Sequence, residues 1–144
     1  MHDYGQLTAF IPEIRQDTFG KRHTDSTADG SREHPYTFPF VLYSDAVNRF
    51  TEAMYKYMDA HPDYGLNRYY DILSANGIEW DMNSMSVADV SRMDAQCVLA
   101  LLVGAIRAER FCDGALLEFF ENGCMLRWLE RLEEIDKKQG SEAF

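Results

Sequence analysis

Residues 97–106, Cys-Val-Leu-Ala-Leu-Leu-Val-Gly-Ala-Ile, run for ten positions without a charged side chain. A surface helix carries an apolar stripe and a polar face, so a helix that is apolar on nearly every side has to be enclosed by other elements. The run is about half the ~20 residues that a membrane-spanning helix needs, and it reads as a core helix. Asp94 stands where an N-cap belongs, and the pattern predicts a central helix over 95–111. In a chain of 144 residues, this hub predicts a single domain of mainly α class, a compact helical bundle around a buried central helix. An apolar fraction of 46% and an aromatic fraction of 13% are those of a packed globule.

The flanking segments supply the enclosure. Residues 1–43 read as an irregular or hairpin part, 44–138 as the helical core and 139–144 as a tail. In the first part, Leu7, Phe10 and Ile11 share a face, which predicts a short helix over 4–11 ended by Pro12. Extended stretches at 19–24 and 36–41, with a turn at Asp29-Gly30, predict a small β-hairpin, which its prolines exclude from a central position in a sheet. Ser44 is expected to cap a helix through Asp59 that turns Val47, Phe50, Met54 and Tyr57 inward. A helix over 64–75 buries Leu66, Tyr69 and Leu73 and stops at Asn76-Gly77. Ser86-Val-Ala-Asp89 has the form of a capping box. Asp113 is expected to cap a helix over 114–121, and the last helix runs over 124–138 with Met125, Trp128, Leu129, Leu132 and Ile135 inward.

The segment from Asp94 through Ile106-Arg-Ala-Glu-Arg-Phe111 to Gly114, with Asn122-Gly123 and Leu129-Glu-Arg-Leu132, resembles a family of small bacterial proteins known only as a domain of unknown function. Glu33-His34-Pro35 and Pro39-Phe40-Val41 belong to the same resemblance. It implies a shared helical fold and brings no catalytic residues with it.

Charge narrows the function classes. Fourteen Lys and Arg against 24 Asp and Glu give a net charge of -10, and the average field repels phosphate and anionic lipid. Direct nucleic-acid binding and membrane binding are therefore not expected. Half of that charge falls in residues 59–94, where Asp59, Asp63, Asp71, Glu79, Asp81, Asp89 and Asp94 face only Arg68 and Arg92. Tyr55, Tyr57, Tyr64, Tyr69, Tyr70 and Trp80 interleave with these acids, and aromatic residues are enriched at binding hot spots. By contrast, Glu133 with Lys137 and Glu134 with Lys138 are i,i+4 pairs in the favourable order, the mark of a solvated helix.

Two constellations suit chemistry. Arg107, Glu109, Arg110 and Asp113 cluster at the polar end of the central helix. They suit either a carboxylate or phosphate grip or, as the favoured reading, ion pairs that lock the turn between helices. Cys112 could be activated by a helix N-terminus, with His2, His23, His34 or His61 as base. Without a nucleophile motif, it is expected to be a small buried hydrophobe. Cys97 sits in the apolar run and Cys124 completes an odd set without CxxC spacing, which predicts a reducing compartment. The opening Met1-His2-Asp3-Tyr4-Gly5 has no secretory pattern, so a cytoplasmic protein is expected. No zinc, calcium or phosphate-loop signature occurs, and neither metal nor cofactor is expected.

The first-ranked function is a non-enzymatic acidic protein-binding module, possessing a binding surface of Asp59, Asp63, Asp71, Glu79, Asp81, Tyr64 and Tyr70 for a partner with a basic surface. In charge and size it is similar to phage-encoded inhibitors of nucleic-acid enzymes, anti-CRISPR proteins among them. The alternatives are a small enzyme using Arg107, Glu109, Arg110 and Cys112, and a structural or homo-oligomerising module.

Overall fold

The apolar run forms the core of α6 (Ala95–Ala108), and every residue from Cys97 to Ile106 is buried. Asp94 caps it, its carboxylate accepting the Cys97 backbone N–H at 2.9 Å. The structure, a computed structural model, describes residues 4–23, 40–112 and 114–142. Within them it is mainly helical, in the order α1 (Gly5–Thr8), α2 (Ile11–Gln16), β1 (Gly20–His23), β2 (Phe40–Tyr43), α3 (Asp45–Ala60), α4 (Tyr69–Ala75), α5 (Met82–Val87), α6, α7 (Ala115–Glu121) and α8 (Cys124–Glu142). Helices α4, α7 and α8 pack directly on α6. Phe50, Met54, Leu73, Met85, Trp128, Leu129 and Leu132 are closed off from solvent around it. Each large apolar side chain so buried contributes about 1.5 to 3 kcal/mol.

Several local expectations match the structure. Ser44 caps α3, accepting from the Val47 N–H at 3.2 Å. α4 ends at Asn76, followed by Gly77 at φ +75°. The Asn122 side chain accepts from the Cys124 N–H at 3.0 Å, at the break between α7 and α8. β1 and β2 pair antiparallel, with Gly20 opposite Tyr43 and His23 opposite Phe40. The turn expected at Asp29-Gly30 lies outside the described residues.

Other expectations are corrected. Pro12 does not end a helix but sits in the first turn of α2, where its missing N–H would have had no partner in any case. The helix expected over 64–75 begins only at Tyr69. Before it come two 3-10 turns, Pro62–Tyr64 and Leu66–Arg68, separated by Gly65 at φ +62°, which breaks the helical path. No capping box forms at 86–89. Ser86 lies inside α5, whose cap is Asp81. Asp89 instead caps the following turn, accepting from the Ser91 N–H at 3.0 Å and Oγ–H at 2.7 Å, and these bonds hold its carboxyl below the usual range. α6 stops at Ala108, three residues early, because residues 109–112 turn the chain toward α7. α8 continues to Glu142, so the expected tail is partly helix.

At one end of the core, Tyr4, Tyr57 and Tyr64 are all buried, with the Tyr4 and Tyr64 hydroxyls 2.6 Å apart. Burial pushes the Tyr57 and Tyr64 hydroxyls up to about 12 and raises Tyr4 further still. The Tyr4 backbone N–H donates to the Asp136 carboxylate at 3.2 Å, fastening the start of α1 to α8.

Candidate acid-rimmed groove

The polar residues at the end of α6 separate instead of forming one network. Glu109 turns toward α7, where its carboxylate accepts the Gly114 N–H at 2.8 Å, the Leu116 N–H at 3.3 Å and the Tyr43 hydroxyl at 2.7 Å. The Tyr43 oxygen in turn accepts the Leu117 N–H at 3.0 Å. Glu109 and Tyr43 thus satisfy the free donors in the first turn of α7, the task assigned from sequence to Asp113, which lies outside the described residues. Gly114, at φ +91°, supplies the left-handed step that brings those N–H groups around to Glu109.

The guanidinium groups take no part in this. Arg107 lies over the Tyr55 ring at 5.3 Å, with its Nε buried and without a hydrogen-bond partner, and Arg110 is exposed. Neither forms an ion pair among the described residues. The Arg–carboxylate lock expected at this turn is therefore replaced by a carboxylate–backbone cap. Cys112 is also corrected: it is exposed, whereas Cys97 and Cys124 are buried. Burial pushes the Cys97 thiol up to about 11. Of the histidines, His61 stacks on Tyr57 at 4.1 Å, and His2 and His34 lie outside the described residues.

The binding residues read from sequence divide in the same way. Asp59, Asp63, Asp71, Glu79 and Asp81 are exposed, as is Tyr70 at 53%. Tyr64 is not a surface residue: at 8% exposure, it belongs to the tyrosine cluster of the core. Tyr70 begins an edge-to-face row of aromatic rings. It runs through Tyr69 at 5.6 Å and Trp80 at 5.2 Å to Phe111 at 5.5 Å, joining α4 to the turn after α6. Trp80 is held from below as its indole N–H donates to the Gly104 carbonyl at 2.9 Å. A Cβ at Gly104 would stand 3.1 Å from Met85 Cε and 3.4 Å from the indole, so this glycine makes room for both.

Beside Trp80 opens a groove of about 360 Å³ between α5, the end of α6 and α7. Met82 and Met85 line one wall, Phe119 and Ala115 the other, and Phe111 stands at the mouth, 76% exposed. Asp81, Glu118 and Cys112 also line it, and no lining residue is a cation. The sequence sets Trp80 among acids but does not single out Met82, Met85, Phe111 or Phe119. The spacing of Met82 and Met85 just after Trp80 was the available signal.

Among the described residues, no group of three or more His, Cys, Asp or Glu could hold a metal ion, and no helix is long and apolar enough to cross a membrane. No curated protein and no solved structure matches the chain significantly. The model of a family of unknown function matches residues 1–138, which is nearly the whole chain and includes both the central helix and the groove; the protein belongs to that family, DUF6508.

Proposed function

We propose that this protein is a non-enzymatic binding module that recognises a basic partner protein through its acidic surface, in the manner of an inhibitor that occupies a nucleic-acid groove. The supporting observation is the pairing of charges. Glu13, Asp45, Glu130, Glu133 and Glu134 are each neutralised locally by an Arg or Lys. Asp59, Asp71, Glu79 and Asp81 are exposed and enter no ion pair among the described residues. Acids without a local cation keep an uncancelled negative field, which is what recognition of a basic partner draws on.

The reading includes a reducing cytoplasm, consistent with two buried free thiols and one exposed one. It also takes the helix end Ile106-Arg-Ala-Glu-Arg-Phe111 with Gly114 as the family's signature in bacterial proteins, since Glu109 and Gly114 together build the cap of α7. Affinity capture from a host lysate tests the function. The expected partner is basic, and DNA or RNA displaces this protein from it. A partner that is itself acidic, or one that binds nucleic acid and this protein at the same time through separate surfaces, defeats the mimicry reading.

A further inference from the structure

We propose that the groove beside Trp80 receives one large apolar side chain of a basic amphipathic helix, and that Asp81 and Glu118 receive the Lys or Arg residues one turn away. This inference rests on the reading of a basic partner and names the part of that partner which docks.

Size, wall chemistry and rim charge each constrain the occupant. A volume of about 360 Å³ is at the lower end of ligand sites, which run from ~300 to ~1,000 Å³, and suits one or two side chains better than a large cofactor. Methionine walls adapt to an inserted aliphatic or aromatic group, because the thioether is unbranched and polarisable. Trp80 is fixed by its bond to Gly104, so one wall is rigid, while Phe111, packed edge-to-face on Trp80, projects into solvent at the mouth. The acids exclude two other occupants. A purely apolar ligand makes no use of Glu118 or of the Asp81 oxygen that does not cap α5, and a second copy of a chain with net charge -10 brings like charge to an acidic rim. A helix with an apolar anchor and basic residues three or four positions away satisfies wall and rim together, since such positions share a face.

Cys112 makes the groove measurable, because it lines the cleft and is the one exposed thiol among the described residues. The probe is a synthetic amphipathic helix with leucines on one face and lysines on the other. One control replaces the leucines by alanine, and another replaces the lysines by glutamate. At about ten times its Kd, the leucine–lysine helix should slow alkylation of Cys112 roughly tenfold by occupancy. The alanine control should bind about ten- to a hundredfold more weakly. Ala108→Leu, which fills the groove from the end of α6, and Phe111→Ser, which removes an exposed wall without touching the core, should each cause a comparable loss.

If the leucine and alanine helices bind alike and Cys112 stays unprotected, the groove proposal is overturned while the acidic-surface reading stands. Equal binding of the glutamate helix overturns both. A leucine–lysine helix that fails to bind at all also overturns the groove proposal, and the broader reading then depends on salt-sensitive binding of the captured partner.

Discussion

Glu109 gathers three donors from two elements and so holds the turn between α6 and α7. Removing Glu109 leaves the Gly114 and Leu116 N–H groups short of an acceptor and takes one partner from the Tyr43 hydroxyl. Glu109→Ala is therefore expected to destabilise the fold by about 1 to 3 kcal/mol. Arg110→Ala, exposed and without an ion pair among the described residues, should stay within roughly 0.5 kcal/mol. Urea denaturation of the two variants separates them, and the reverse order of effects would restore the Arg-centred account of this turn. Cysteine chemistry gives a second test at this scale. One thiol, Cys112, should react with an alkylating agent in the folded protein and all three after unfolding, because Cys97 and Cys124 are buried. More than one rapid label on native protein would contradict the packing of α6 or α8.

Some of these residue roles were readable without a structure and others were not, for a physical reason. Caps act over three residues, so Ser44, Asp94 and the Asn122-Gly123 break could be read from local sequence. Tyr64, Cys112 and Glu109 depend on which distant element arrives beside them. Tyr4 comes from 60 positions away to meet Tyr64, and Tyr43 from 66 positions away to meet Glu109. Local pattern holds no information about such encounters.

Among the elements, the seat of Trp80 on α6 organises one whole side of the molecule. Gly104 weakens the helix in principle, by about 1 kcal/mol relative to Ala, yet it allows the indole and Met85 to approach the helix axis. Gly104→Val is expected to push Trp80 off its carbonyl partner and destabilise the fold by about 1 to 3 kcal/mol through overpacking. A changed Trp fluorescence spectrum should accompany that loss, with Trp128 buried as a constant background. An unchanged spectrum and stability would mean that the indole does not rest on α6. The tyrosine cluster gives the elements that meet there a pH signature. The Tyr57 and Tyr64 hydroxyls ionise near 12 in the folded chain and near 10 when exposed, so the unfolded chain loses protons first. Stability should be full below pH ~10 and fall steadily between about pH 10 and 12. Denaturant melts across that range check the sign, and stability that held level there would contradict the burial of the cluster. The elements themselves were legible where an apolar period ran long, as in α3, α6 and α8. They were misplaced where glycine or proline punctuation governed, as at Pro12 and Gly65, since one such residue permits either a stop or a start.

Over the whole molecule, two kinds of acidic surface stand apart. On α8, Glu133 pairs with Lys137 at 3.4 Å and Glu134 with Lys138 at 3.6 Å, while Asp59, Asp71, Glu79 and Asp81 enter no ion pair among the described residues. An unmatched field of this kind acts on encounter more than on affinity, because it steers a positive partner before contact. The groove could not be found from sequence because its walls come from α5, α6 and α7, and only the packing of those helices on one another creates the space between them.

If the unmatched acids attract a basic partner, the association rate of the captured partner depends on salt. The expected result is a rate that falls steeply as the screening length shortens to about 8 Å at physiological ionic strength, with a much smaller rise in dissociation. Joint replacement by Asp59→Asn, Asp71→Asn, Glu79→Gln and Asp81→Asn should flatten that dependence and leave the fold intact, since exposed charges contribute only ~0 to 1 kcal/mol each and Asn can still cap α5. Neutralising Glu133 and Glu134 instead should matter less. An association rate indifferent both to salt and to the four replacements would contradict the account.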